Sequence, residues 1–147
     1  MTTVAVSGGF DPVHVGHLRM FEAAYAWKGD VVVILNSDEW LMRKKGFVFM
    51  PFEERKEILL GFSSVSEVVA VDDSDDTVCE ALARIEPDFF GNGGDRKLGN
   101  VPELDLCEKL GIEALWNLGG GKVQSSSALT APGRGRKVKA RIVEGGK

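Results

Sequence analysis

Both histidines of the 147-residue chain, His14 and His17, fall in one stretch, SGGFDPVHVGHLRMFEAA (residues 7–24), beside Gly8, Gly9, Pro12 and Gly16. Glycine lets a ligand approach the main chain closely, and proline fixes the direction of the turn. A helix start carries free N–H groups and the positive end of a dipole, so two imidazoles beside it would make a compact set of donors for phosphate oxygens. The plainer reading of the same residues is a tightly packed turn with histidines as local caps. A paired-histidine metal site lacks a suitably spaced third ligand from cysteine or carboxylate nearby. The stretch matches neither a Walker A sequence nor the glycine triplet of dinucleotide-binding folds.

The elements around this stretch follow from hydrophobic pattern. Residues 2–6 and 30–36 are β-branched apolar runs of strand length, as expected for strands buried on both faces of a parallel sheet. Residues 67–71 and 87–91 have the same character, and residues 112–118 make a fifth candidate. Between them, apolar residues recur at three- and four-residue spacing over 17–27, 51–62, 75–85 and 102–110, which predicts amphipathic helices. Pro51 followed by Glu53 and Glu54 is a favourable helix start. The alternation predicts a doubly wound (Rossmann-like) α/β fold, a five-stranded parallel sheet with helices on both faces. Ligands of such sheets bind beyond the carboxyl ends of the strands, where strand order reverses. The loops after the first and fourth strands, SGGFDPVHVGH and GNGGDR, are therefore the expected site.

Composition bounds the rest. With 27% charged and 44% hydrophobic residues, the chain suits one globular domain over residues 1–131, followed by a basic tail over 132–147. The longest apolar runs are strand-sized, which speaks against a membrane span, and no secretory signal is visible, so a cytoplasmic home is expected. Cys79 and Cys107 fit neither a disulfide framework nor a zinc site and are expected to be inert. The net charge of −4 speaks against general nucleic-acid binding, although residues 131–147 hold six Lys or Arg against one Glu. This leaves a non-catalytic nucleotide-binding module, with the tail as its interaction arm, as a reading from a different class.

GGFDPVHVGH resembles the HxGH signature of the nucleotidyltransferase superfamily, read on His14, Val15, Gly16 and His17. NSDEWLMRKKG, PFEERKEIL, GNGGDR and VQSSSAL follow in the order of the glycerol-3-phosphate cytidylyltransferase and heptose-phosphate adenylyltransferase branch, so the resemblance spans about residues 1 to 130. It implies His14, His17 and Lys44 as catalytic residues. It implies nucleotide contacts from Gly8, Gly9, Phe10, Asp11, His14, His17, Asp95, Ser125, Ser126 and Ser127, and acceptor contacts from Lys44, Lys45 and Arg55. Magnesium would arrive with the nucleoside triphosphate rather than in a protein cage. The implied partners are small molecules, a triphosphate and a phosphorylated acceptor, with a homodimer as the expected assembly.

GNGGDR resembles the adenylyl branch, and the arginine that precedes the serine element of cytidylyltransferases is replaced here by GGGKV, with Lys122 as the nearest cation. ATP with a sugar phosphate such as heptose 1-phosphate is thus favoured over CTP with glycerol 3-phosphate. Pro132, Gly133 and Gly135 should end the last helix within two turns, earlier than in that branch. A class I aminoacyl-tRNA synthetase, another owner of this loop type, needs more domains than 147 residues allow.

Overall fold

The computed structural model describes residues 2–26, 29–91, 101–116, 118–120 and 126–130. Five parallel strands form one sheet in the order β3-β2-β1-β4-β5. They are β1 (Thr2–Gly8), β2 (Gly29–Leu35), β3 (Glu67–Ala70), β4 (Phe89–Gly91) and β5 (Glu113–Leu115). β1 is central, pairing with β2 through Val4↔Val31 and with β4 through Val4↔Phe89. Strand order reverses at β1, so the turn after it opens at the point where such sheets leave a crevice.

The helices are α1 (Val15–Tyr25), α2 (Asp38–Lys45), α3 (Phe52–Leu60), α4 (Cys79–Ile85), α5 (Val101–Leu110) and α6 (Ser126–Thr130). Alternate strand residues divide the core. Val4, Val6, Val31, Val33 and Leu35 pack with Met20, Phe21 and Ala24 of α1 and Leu59 of α3. Ala5 and Ile34 face the other way, onto Ala81 and Leu82 of α4 and Cys107 of α5. Helices thus cover both faces, as the hydrophobic pattern predicts. Val4, Ala5 and Val6 have no solvent exposure, which explains why β1 carries no polar side chain at its middle.

Three elements differ from the sequence reading. The helix predicted from residue 75 begins at Cys79, because Asp75 accepts from the Thr77 N–H and hydroxyl and holds a turn there. β5 ends at Leu115 rather than 118 and pairs residue for residue with Phe89–Gly91 of β4. α2 was not anticipated at all. Only Leu41 of α2 is buried, so no apolar period marks it. Its signals are terminal: Ser37 accepts from Trp40 N, Asp38 and Glu39 occupy the first turn, Arg43, Lys44 and Lys45 the last, and Gly46 closes it at φ 84°.

Candidate active site

The turn after β1 carries the histidines into α1 in a reciprocal cap. His14 is the N-cap, with extended backbone. Its Nδ1 accepts from the Gly16 N–H at 3.1 Å, and the His14 N–H donates to Nδ1 of His17 at 3.1 Å. A nitrogen that accepts an N–H cannot hold a proton of its own, so in both neutral rings the proton resides on Nε2. The rings stack with centroids 3.8 Å apart and planes at 22°. The main chain thereby selects one tautomer for both rings, with the proton on Nε2 of each. These contacts realise the plainer reading of the sequence, histidines as local caps.

The residues just before the histidines are buttresses. Phe10, expected at the nucleotide, turns its ring inward at 4% exposure and a φ of 50°. Its ring meets His17 edge-on at 4.6 Å and Phe21 at 5.5 Å, so the side chain supports the imidazole from the core. The space beside Gly9 is taken by the protein, because a Cβ there would lie 2.9 Å from Leu41 Cδ2 and 3.2 Å from Trp40 Cζ3. A Cβ on Gly8 would meet the Phe10 ring at 3.2 Å. Close packing within the chain accounts for both glycines.

Asp11, Arg55 and Lys45, to which the resemblance gives ligand contacts, are engaged within the protein. The Asp11 carboxylate accepts from the N–H groups of Phe49 at 2.7 Å and Met50 at 2.6 Å. Arg55 is 1% exposed and spends its guanidinium on the protein: on the carbonyls of Met50 (2.8 Å), Gly9 (2.8 Å) and Asn36 (2.9 Å), and on the Asp38 carboxylate at 2.6 Å. It ties the ends of β1 and β2 to the segment before α3. Lys45 donates to the Asp11 carbonyl at 2.7 Å. Lys44 is exposed, its ammonium 5.7 Å from the centroid of the Trp40 ring.

Ser126, at the start of α6, donates to the Pro12 carbonyl at 2.6 Å, which brings the serine element onto the histidine turn across 114 residues. Ser125 and Asp95 lie outside the described residues, as does the side chain of Ser127. Sequence reasoning missed Asp73, which is 4% exposed and accepts from the Asn36 amide, the Ser37 N–H and the Ser37 hydroxyl. It stitches the end of β3 to the start of α2. A cavity of about 200 Å³ opens beside this stitch, lined by Ser37, Asp38, Glu39, Phe52, Ala70 and Val71. Arg55 links Asp38 on its wall to Gly9 in the histidine turn.

The cysteines sit on the opposite face of the sheet from α1. Burial pushes the Cys107 thiol up to about 11 and raises Cys79 as well, so neither is a ready nucleophile. Among the described residues no helix is long and apolar enough to cross a membrane.

The family model for cytidylyltransferase-like proteins matches residues 5–108, the span from β1 through most of α5. The chain belongs to this cytidylyltransferase-like family. Bifunctional protein HldE of Streptomyces coelicolor is 33% identical over 116 residues, covering 78% of this chain and 25% of that protein. HldE of Hyphomonas neptunium is 36% identical over 110 residues, covering 73% and 22%. The chain therefore spans about a quarter of these relatives. FAD synthase of Ferroglobus placidus is 29% identical over 114 residues, covering 78% of this cytidylyltransferase-like chain and 73% of that protein. The fold is shared with a lipopolysaccharide core biosynthesis protein of Thermoplasma volcanium, at TM-score 0.65 and 23% identity over 80% of this chain and 94% of that one.

Proposed function

We infer that this nucleotidyltransferase moves AMP from ATP to a sugar phosphate such as heptose 1-phosphate and releases pyrophosphate. The observation that carries the reading is the stacked His14–His17 pair at a helix start, whose Nδ1 atoms accept main-chain amides and so leave the ring protons on Nε2. A phosphate monoester has a second pKa of about 6, so the acceptor oxygen is already anionic at neutral pH and requires no general base. That oxygen attacks the α-phosphorus as the bond to the β-phosphate oxygen breaks, and pyrophosphate leaves with the bond's electrons. Catalysis is then alignment and charge stabilisation. The imidazole donors serve the phosphate oxygens, Lys44 offsets charge between acceptor and α-phosphate, and the serine element at 125–127 serves the leaving group.

Among the described residues no group of three or more His, Cys, Asp or Glu gathers as a metal cage. Magnesium would be held by triphosphate oxygens, where it would share their charge, and the proposed chemistry assigns it no step. The resemblance of GNGGDR to the adenylyl branch and the similarity to HldE support ATP.

Pyrophosphate release across ATP and CTP, each with heptose 1-phosphate, glycerol 3-phosphate or flavin mononucleotide, tests the reading. ATP with heptose 1-phosphate should have the highest kcat/KM. Preference for CTP with glycerol 3-phosphate would replace it by the cytidylyl reading, and nucleotide binding without turnover by the non-catalytic module. His17→Ala should fold and lose about a hundredfold in turnover. Activity within about twofold of the parent would remove His17 from the chemistry.

A further inference from the structure

Lys45 closes α2 one residue after Lys44, yet the two ammonium groups have different surroundings. Successive helical residues project about 100° apart, so one can point into the protein while the other faces solvent. The Lys45 ammonium donates to the Asp11 carbonyl at 2.7 Å, lies 3.7 Å from the Asp11 carboxylate and sits 4.8 Å from the centroid of the Phe47 ring. Its side chain is 12% exposed and that of Asp11 is 0% exposed. Such a desolvated cation persists only where several partners compensate it, and its attachments leave little of it for a substrate. The same carboxylate receives the Phe49 and Met50 amides. One buried residue, three positions before His14, thus gathers the end of α2 and the connection to α3 around itself.

We propose that Lys45 is a positioning residue whose ion pair with Asp11 sets the register between the helix end bearing Lys44 and the turn bearing His14 and His17. A cation and two imidazole donors from separate segments then converge on one phosphoryl group, and a misplacement of about 1 Å can cost on the order of a hundredfold in rate. The kinetic part of this proposal rests on the transferase reading; the structural part does not.

Lys45→Met keeps most of the aliphatic stem and removes the charge. With ATP and heptose 1-phosphate, and in parallel with CTP and glycerol 3-phosphate, its rate at saturation should fall at least tenfold while KM for the acceptor stays within about twofold. A raised acceptor KM at unchanged kcat would make Lys45 a substrate ligand and overturn the proposal. The second readout needs no turnover. The chain has only two histidines, so the imidazole ¹⁵N spectrum of untagged, ligand-free protein reports His14 and His17 alone. Lys45→Met should shift or broaden these signals, Lys44→Met should leave them in place, and Lys45→Arg should return them towards the parent. If Lys45→Met does not fold, Lys45→Gln against Lys45→Arg gives the same comparison. Histidine signals identical in the parent and the charge-removing variant overturn the proposal. Absence of turnover with every substrate pair, together with the expected spectral changes, would fail the transferase reading and leave the positioning role supported.

Discussion

An imidazole is an unusual helix cap, since Ser, Thr, Asp and Asn dominate that position. At His14 the cap and the donor are the same ring: Nδ1 takes the Gly16 N–H, and the proton is left on Nε2. The two duties can be separated by substitution. His14→Asn retains a side-chain cap and should stay within a few tenths of a kcal/mol of the parent in urea unfolding, whereas His14→Ala should lose about 1 kcal/mol. Both remove the Nε2–H and should lower pyrophosphate release by about a hundredfold. Parental turnover in His14→Asn would reduce His14 to a structural cap. The residue types at 14 and 17 were legible in the sequence, because histidine chemistry belongs to the side chain itself. The inward turn of the Phe10 ring was not, because it follows from the core partner Phe21, which the chain reaches only on folding.

At the scale of elements, periodicity and capping are independent signals. The helix over 17–27 was read from Leu18, Phe21, Ala24 and Tyr25, of which Phe21 and Ala24 are buried together with Met20 while Leu18 and Tyr25 are exposed, whereas α2 offered caps and charges but a single buried side chain. α4 and α5 pack through the far core, where Cys107 is 2% exposed. Burial holds its thiol at about 11 against an ordinary value of 9.0, so the folded state keeps the proton that the unfolded chain gives up first. The stability this represents is complete below about pH 9 and is lost as pH rises towards 11, on the order of 2 kcal/mol in all. Urea midpoints at pH 8 and pH 10.5 should therefore fall more steeply in the parent than in Cys107→Ala, although the variant starts lower. Equal slopes would show that the thiol is not responsible.

For the whole molecule, the parallel sheet brings the ends of β1, β2 and β3 to one edge, and the segments that follow them are stitched there by Arg55, Asp11 and Asp73. Charge is distributed unevenly along the sequence: the net is −4, and removing the six cations and single Glu of residues 133–147 leaves −9. A local cluster of donors sets the field at a phosphate site, so the acidic remainder does not oppose triphosphate binding. Truncation after Pro132 should leave kcat and KM within about twofold and abolish any salt-sensitive nucleic-acid binding by the full chain. A large loss of turnover would bring the basic tail into the site.

The sequence by itself determined the alternation of strands and helices and the placing of both histidines in the turn after the first strand, because hydrophobic period and side-chain chemistry are local properties. Tertiary structure alone decided which charged residues are held inside. Lys44 and Lys45 are adjacent and chemically alike, yet one is exposed and the other is tied to Asp11, 34 residues away. Arg55 reaches back 46 residues to the Gly9 carbonyl. Desolvation depends on what packs against a side chain, and those partners come from segments that meet only in the folded sheet.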